Sequence, residues 1–133
     1  MKKLYKELLL AAGKARKNAY CPYSGFKVGA AALSGSGKIY TGANVENASY
    51  GLSCCAERVA VFKAAAAGER KIIAVAVAGP GTRSVTPCGA CRQVIYEFGA
   101  NADVITAGKK NVRVDKIAKL LPGAFGGRDL SNK

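Results

Sequence analysis

The chain contains no histidine among its 133 residues, and that absence excludes more chemistry than any other feature of its composition. Without imidazole it cannot assemble a Ser-His-Asp or Cys-His triad, and it cannot bind zinc through a side-chain nitrogen. Any metal must rest on sulfur or carboxylate. Acidic residues are scarce too: 8 Asp+Glu stand against 21 Lys+Arg, a formal net charge of +13. Long apolar runs are missing; the longest, Ile72 to Ala78, has seven residues, whereas a membrane-spanning helix needs about twenty. No secretory signal is apparent and the five cysteines are an odd number, so a cytoplasmic protein with reduced thiols is expected rather than a disulfide scaffold. Proline is sparse, and 50% hydrophobic against 22% charged residues excludes a disordered chain. The length fits a single domain over 1–133.

The positive charge raises the question of nucleic acid, and its distribution argues against it. Residues 1–20 carry a net +5, residues 21–108 +3 and residues 109–133 +5. The excess sits at the two ends, and no aromatic side chains are interleaved with it as a single-strand stacking platform requires.

Leu4, Leu8, Ala12 and Ala15 recur at helical spacing and predict an amphipathic helix to about Lys17. A loop over 18–25 follows, then a strand from Phe26 to Leu33, a turn at Gly35–Ser36–Gly37 and an antiparallel strand around Lys38 to Gly42. Cys55 to Ala67 reads as a buried helix closed by Gly68. The Ile72–Ala78 run suits a strand covered on both sheet faces. A helix from about Pro87 to Phe98, strands at Ala102–Thr106 and Asn111–Val114, and a last helix from Asp115 to Leu121 with Asp115 as its cap complete the pattern. Gly126 and Gly127 predict a flexible tail. The alternation implies a layered α/β domain with a hairpin first and parallel crossovers after it.

Chemistry concentrates in the cysteines. Cys88 and Cys91 form a Cys-x-x-Cys pair at the expected start of a helix, on one face and at the positive end of its dipole, which favours the metal-binding thiolate. Cys55 sits at the start of another expected helix and can join them. Three thiolates leave a fourth tetrahedral position for water, the arrangement of a catalytic rather than a structural zinc. Glu57, two residues from Cys55, offers a carboxylate for general acid/base work. A Cys/Cys/Cys zinc site with a non-ligand Glu is known among nucleobase deaminases. Other readings stay open: Cys54 as a fourth ligand closing a structural site, Cys88 and Cys91 as a redox pair, and Glu57 as a solvated helix residue. Cys54 and Cys21 read more simply as small buried hydrophobes.

With these motifs the chain resembles the small homotetrameric zinc-dependent cytidine deaminases. The matching strings are Asn18-Ala-Tyr-Cys-Pro-Tyr-Ser-Gly-Phe26, Gly42-Ala-Asn-Val-Glu-Asn-Ala-Ser-Tyr50, Cys55-Ala-Glu-Arg58, Pro87-Cys-Gly-Ala-Cys-Arg-Gln93 and Leu121-Pro-Gly-Ala-Phe125. The resemblance implies a three-layer α/β/α sandwich with a mixed central sheet of about five strands. It implies one Zn²⁺ per subunit on Cys55, Cys88 and Cys91, with Glu57 as the catalytic proton shuttle. Phe26, Asn44, Glu46, Ala56 and Phe125 match substrate-binding positions: Phe26 stacking on the base, Asn44 and Glu46 on ribose hydroxyls, Phe125 closing a neighbouring subunit's pocket. Arg58, and Arg92 as a helper, would offset the charge of three thiolates on one zinc. The implied reaction is deamination of cytidine and 2′-deoxycytidine. Its rivals are a deaminase of a cytosine-containing nucleoside antibiotic of the blasticidin S type and a basic zinc-stabilised nucleic-acid-binding module.

Overall fold

A computed structural model describes residues 2–81, 84–108 and 111–131. Of the basic residues counted near the chain's end, Lys109, Lys110 and Lys133 lie outside them. The elements are α1 (Lys3–Ala15), β1 (Gly29–Ser34), β2 (Ile39–Ala43), α2 (Ala56–Ala66), β3 (Ile72–Ala78), α3 (Gly89–Phe98), β4 (Asp103–Ala107), β5 (Val112–Lys116) and α4 (Ile117–Leu120). The strands form one sheet in the order β2-β1-β3-β4-β5. Only β3 and β4 pair in parallel; the other three neighbouring pairs are antiparallel. The mixed five-stranded sheet and its layers are those expected, with one parallel pair where several were expected.

Alternation along the strands builds two cores. Ala31 and Leu33 of β1, Ala74 and Ala76 of β3 and Ile105 of β4 pack against Tyr5, Leu8 and Ala12 of α1. Their neighbours Ala30, Ala32, Val75, Val77 and Val104 face the opposite way, onto Ala56, Ala60 and Ala64 of α2 and Ile95 of α3. Period-two burial on both faces explains why β3 reads as an unbroken apolar run. Alanines let the layers approach closely, and Gly42 shows how closely: a Cβ there would lie 2.5 Å from the Ala60 backbone nitrogen and 2.6 Å from the Ala56 carbonyl oxygen. Across the α1 face, the Tyr5 hydroxyl donates to the Asp103 carboxylate, which also pairs with Lys116 at 3.0 Å. Burial first, then this acidic neighbour, pushes the Tyr5 phenol up to about 12.

Two expectations need correction. The first strand begins at Gly29, not Phe26, because the backbone of Phe26 and Val28 bonds to the Asn44 side chain instead of a strand. The last helix is one turn, and Asp115 does not cap it. Asp115 belongs to β5 opposite Val104, and its carboxylate pairs with Arg113 at 3.1 Å and Lys119 at 3.7 Å. The glycine-rich tail closes into a short 3-10 helix over Gly127–Leu130, where the Asp129 carboxylate accepts from the Gly126 N–H at 2.8 Å. Among the described residues, no helix is long and apolar enough to cross a membrane.

Candidate active site

Strand direction brings the site together. β1 is antiparallel to both β2 and β3, so β2 and β3 run the same way and their C-terminal ends share one sheet edge with the start of β1. Gly29, the first residue of β1, faces Ala43 on one side and Ala78 on the other. The chain leaves β2 at this edge to begin α2 and leaves β3 there to begin α3. Two positive helix ends therefore open onto one crevice, the place where α/β sheets hold ligands.

Cys55 is the N-cap of α2 and Cys88 the N-cap of α3; neither side chain bonds to its helix backbone, so both sulfurs remain free for a metal. Cys91 follows in the first turn of α3 and is buried. The Cys55 and Cys88 sulfurs lie 3.8 Å apart, those of Cys88 and Cys91 3.5 Å apart, and all three fall within 4.8 Å of one another. Tetrahedral zinc with Zn–S bonds of about 2.3 Å requires sulfurs about 3.8 Å apart. The three cysteines fit one zinc, and they are the one such cluster among the described residues. Hydrogen bonding from the Cys91 thiol, helped by Arg58 and the Cys88 thiol, outweighs burial and holds the Cys55 thiol down at about 5. The Cys91 thiol is pushed up by the same hydrogen bond and by burial. Cys54 stands outside the cluster: its backbone pairs with Val45, and its sulfur rests 3.7 Å from the Cys55 carbonyl oxygen.

Beside the sulfurs opens a cavity of about 320 Å³. Cys55, Ala56, Glu57 and Cys88 line it from the two helix starts; Phe26, Asn44 and Glu46 line it from the ends of β1 and β2. Glu57 is only 3% exposed. Burial pushes its carboxyl up to about 7; its own backbone N–H pulls the other way, the Cys55 charge adds to the rise, and Arg58 opposes it. Asn44 accepts from the Val28 N–H at 2.9 Å and donates to the Phe26 carbonyl at 2.8 Å. Glu46 accepts from the loop preceding Phe26, through the N–H groups of Tyr23 and Ser24 and the Ser24 hydroxyl.

The two arginines divide. Arg58 reaches the Cys55 sulfur at 3.7 Å and the Ser53 carbonyl at 3.4 Å. Arg92 makes no hydrogen bond to a sulfur; it donates to the carbonyls of Pro87 and Leu120, both at 2.8 Å, and so ties the Cys-x-x-Cys segment to the end of α4. Phe125 does not line the cavity and is 57% exposed. Gln93 holds its carbonyl at 2.8 Å.

A model of the family described as "Cytidine and deoxycytidylate deaminase zinc-binding region" matches residues 2–107. The chain belongs to this family. It is 49% identical over 127 residues to a cytidine deaminase of Sporosarcina psychrophila, covering 94% of this chain and 93% of that protein. It is 46% identical over 127 residues to a cytidine deaminase of Halalkalibacterium halodurans, covering 94% and 96%. Its structure superposes on that of a Burkholderia pseudomallei cytidine deaminase with a TM-score of 0.86 at 49% identity, covering 94% and 100%.

Within this deaminase fold the cavity has walls that residue chemistry alone did not single out. Val28, Val85 and Thr86 line it, and Gly79 leaves the space Val85 needs, since a Cβ there would lie 2.2 Å from a Val85 methyl. Valines in a sequence are indistinguishable from core. Ser24 lies inside a string that carried the family likeness, yet a loop serine gives no sign of its partner until the fold supplies Glu46.

Proposed function

We propose that this chain deaminates cytidine and 2′-deoxycytidine hydrolytically, giving uridine or 2′-deoxyuridine and ammonia. One observation carries the reading: a buried carboxyl, Glu57, lines a nucleoside-sized cavity together with Cys55 and Cys88, two of the three cysteines whose sulfurs are spaced for zinc. The 46–49% identity to proteins named cytidine deaminase supports the ordinary nucleoside over an antibiotic substrate.

When held by Cys55, Cys88 and Cys91, zinc supplies Lewis-acid activation of water at neutral pH. The chain does the rest. The Glu57 carboxylate takes a proton from the attacking water and delivers it to N3 of the pyrimidine; it then carries the remaining proton of the hydroxyl now on C4 to the amino nitrogen, so that the C4–N bond breaks, ammonia leaves and the C4 carbonyl forms. Burial of Glu57 in the cavity wall limits competing water around the carboxyl. Phe26 stacks on the base. Asn44 and Glu46 take the ribose hydroxyls; the two Asn44 bonds to the loop leave its amide one further donor and one further acceptor. Ala56 closes the cavity between Cys55 and Glu57. Arg58, cationic beside Cys55, offsets the negative charge that three thiolates place on the site.

The same reading extends over 1–133 as one deaminase domain, in a cytoplasmic homotetramer whose Phe125 side chains close neighbouring cavities. The exposure of Phe125, Tyr50 and Leu52 supports an assembled state. Purified protein carrying about one zinc per subunit should convert cytidine to uridine with equimolar ammonia, and a chelator should abolish turnover until zinc is restored. Zinc-loaded protein that leaves cytidine unchanged would refute the reading.

A further inference from the structure

The loop that carries Phe26 is fastened to Glu46 through one side chain. Glu46 Oε1 accepts from the N–H of Tyr23 at 3.0 Å and of Ser24 at 3.1 Å. Its Oε2 accepts from the Ser24 hydroxyl at 2.5 Å. With its one proton spent there, Ser24 Oγ acts as an acceptor toward the Phe26 N–H at 3.0 Å. A directional chain results, from the Phe26 backbone through the serine hydroxyl to the carboxylate. Gly25 makes it short enough: its φ of +68° turns the backbone so that the Ser24 side chain meets the N–H two residues on. Asn44 also grips this loop but makes no bond to Glu46. Ser24 and Glu46 line both the cavity beside the cysteines and a neighbouring one of about 310 Å³, so the pair forms the wall between them.

A carboxylate offers about four acceptor positions. The loop fills three of them, two on Oε1 and one on Oε2, which leaves a single position on Oε2 for a ligand. We infer that Ser24 is a positioning residue for nucleoside recognition: its hydroxyl holds the Glu46 carboxylate with one acceptor free for a sugar hydroxyl and sets the Phe26 ring, on the base side, in register with it. The inference rests on the reading that the cavity takes a pyrimidine nucleoside. Base and sugar contacts are then linked before substrate arrives, and the entropy of fixing them is not spent at binding.

The test is a double-mutant cycle on zinc-loaded protein with cytidine as substrate. Ser24→Ala should raise KM about tenfold, the size expected for one hydrogen bond to a charged group, with kcat within about twofold and zinc content unchanged. Ser24→Thr, which keeps the hydroxyl, should restore most of the loss. In a Glu46→Gln background the same Ser24→Ala change should cost less than about threefold, because its target has lost its charge. An unchanged KM in Ser24→Ala, a fall in kcat or zinc content instead, or an undiminished cost in the Glu46→Gln background would each overturn the inference. Wild-type protein that carries zinc and leaves cytidine unchanged would instead refute the nucleoside reading itself.

Discussion

Cys55 and Cys88 each occupy a helix N-cap, a position where Ser, Thr, Asp or Asn ordinarily bonds to the first helix N–H groups. Here the side chains make no such bond. The helix start gives each sulfur a positive environment without engaging it, which is what a metal ligand needs. Cys88→Ala should therefore lose both zinc and turnover. Cys54→Ala, one residue from Cys55 but outside the cluster, should retain both within about twofold; metal analysis beside a cytidine assay reads the contrast. These cysteines were legible in the sequence because Cys-x-x-Cys and Cys-x-Glu constrain side-chain positions by local spacing alone. The partner of Arg92 was not, since the Pro87 and Leu120 carbonyls it bonds come together only when α4 packs against α3.

At the scale of elements, the position of α2 against β2 decides whether Cys55 meets the other two sulfurs. Gly42 sets that distance, with α2 backbone atoms within 2.6 Å of where its Cβ would be. Gly42→Ala should destabilise the protein by about 1–3 kcal/mol through overpacking, read as a lower urea midpoint, and should weaken zinc binding as the start of α2 moves. Unchanged stability would contradict this close approach. The far end of α2 has its own tie: Glu69 accepts from the Ser36 hydroxyl at 2.6 Å and from Tyr40 at 3.0 Å. The Ser36 bond, with Tyr40 and the Lys38 charge behind it, outweighs desolvation and holds the Glu69 carboxyl below its ordinary value. A carboxyl lowered on folding contributes stability above its unfolded value and loses it as pH falls through the folded one. The wild type should thus exceed Glu69→Gln in urea midpoint at about pH 7, and the gap should narrow as the pH falls below the ordinary carboxylate range. The helical periodicity of α1 and the unbroken apolar run of β3 were readable from sequence. The start of β1 and the cap of α4 were not, because Asn44 captures the backbone of 26–28 and β5 claims Asp115, both through contacts distant in sequence.

For the molecule as a whole, one sheet direction turns scattered motifs into a site: β2 and β3 end at the same edge, and everything that lines the cavity is attached near it. The charge of +13 has no part in that geometry. Zinc held by three thiolates lowers it by only one. For a neutral nucleoside, kcat/KM should change less than about twofold between about 0.05 and 0.3 M salt; a steep fall would put the basic surface in substrate binding. The absence of histidine, by contrast, shapes the centre directly. It leaves an all-sulfur zinc site, and the proposal that the buried Glu57 beside it carries the protons is the claim on which the account turns. The most direct measurement is the turnover of cytidine by Glu57→Gln at matched zinc content. The account predicts wild-type zinc with kcat lower by about 10²–10⁴-fold; a zinc-loaded Glu57→Gln protein that deaminates cytidine at the wild-type rate would contradict it.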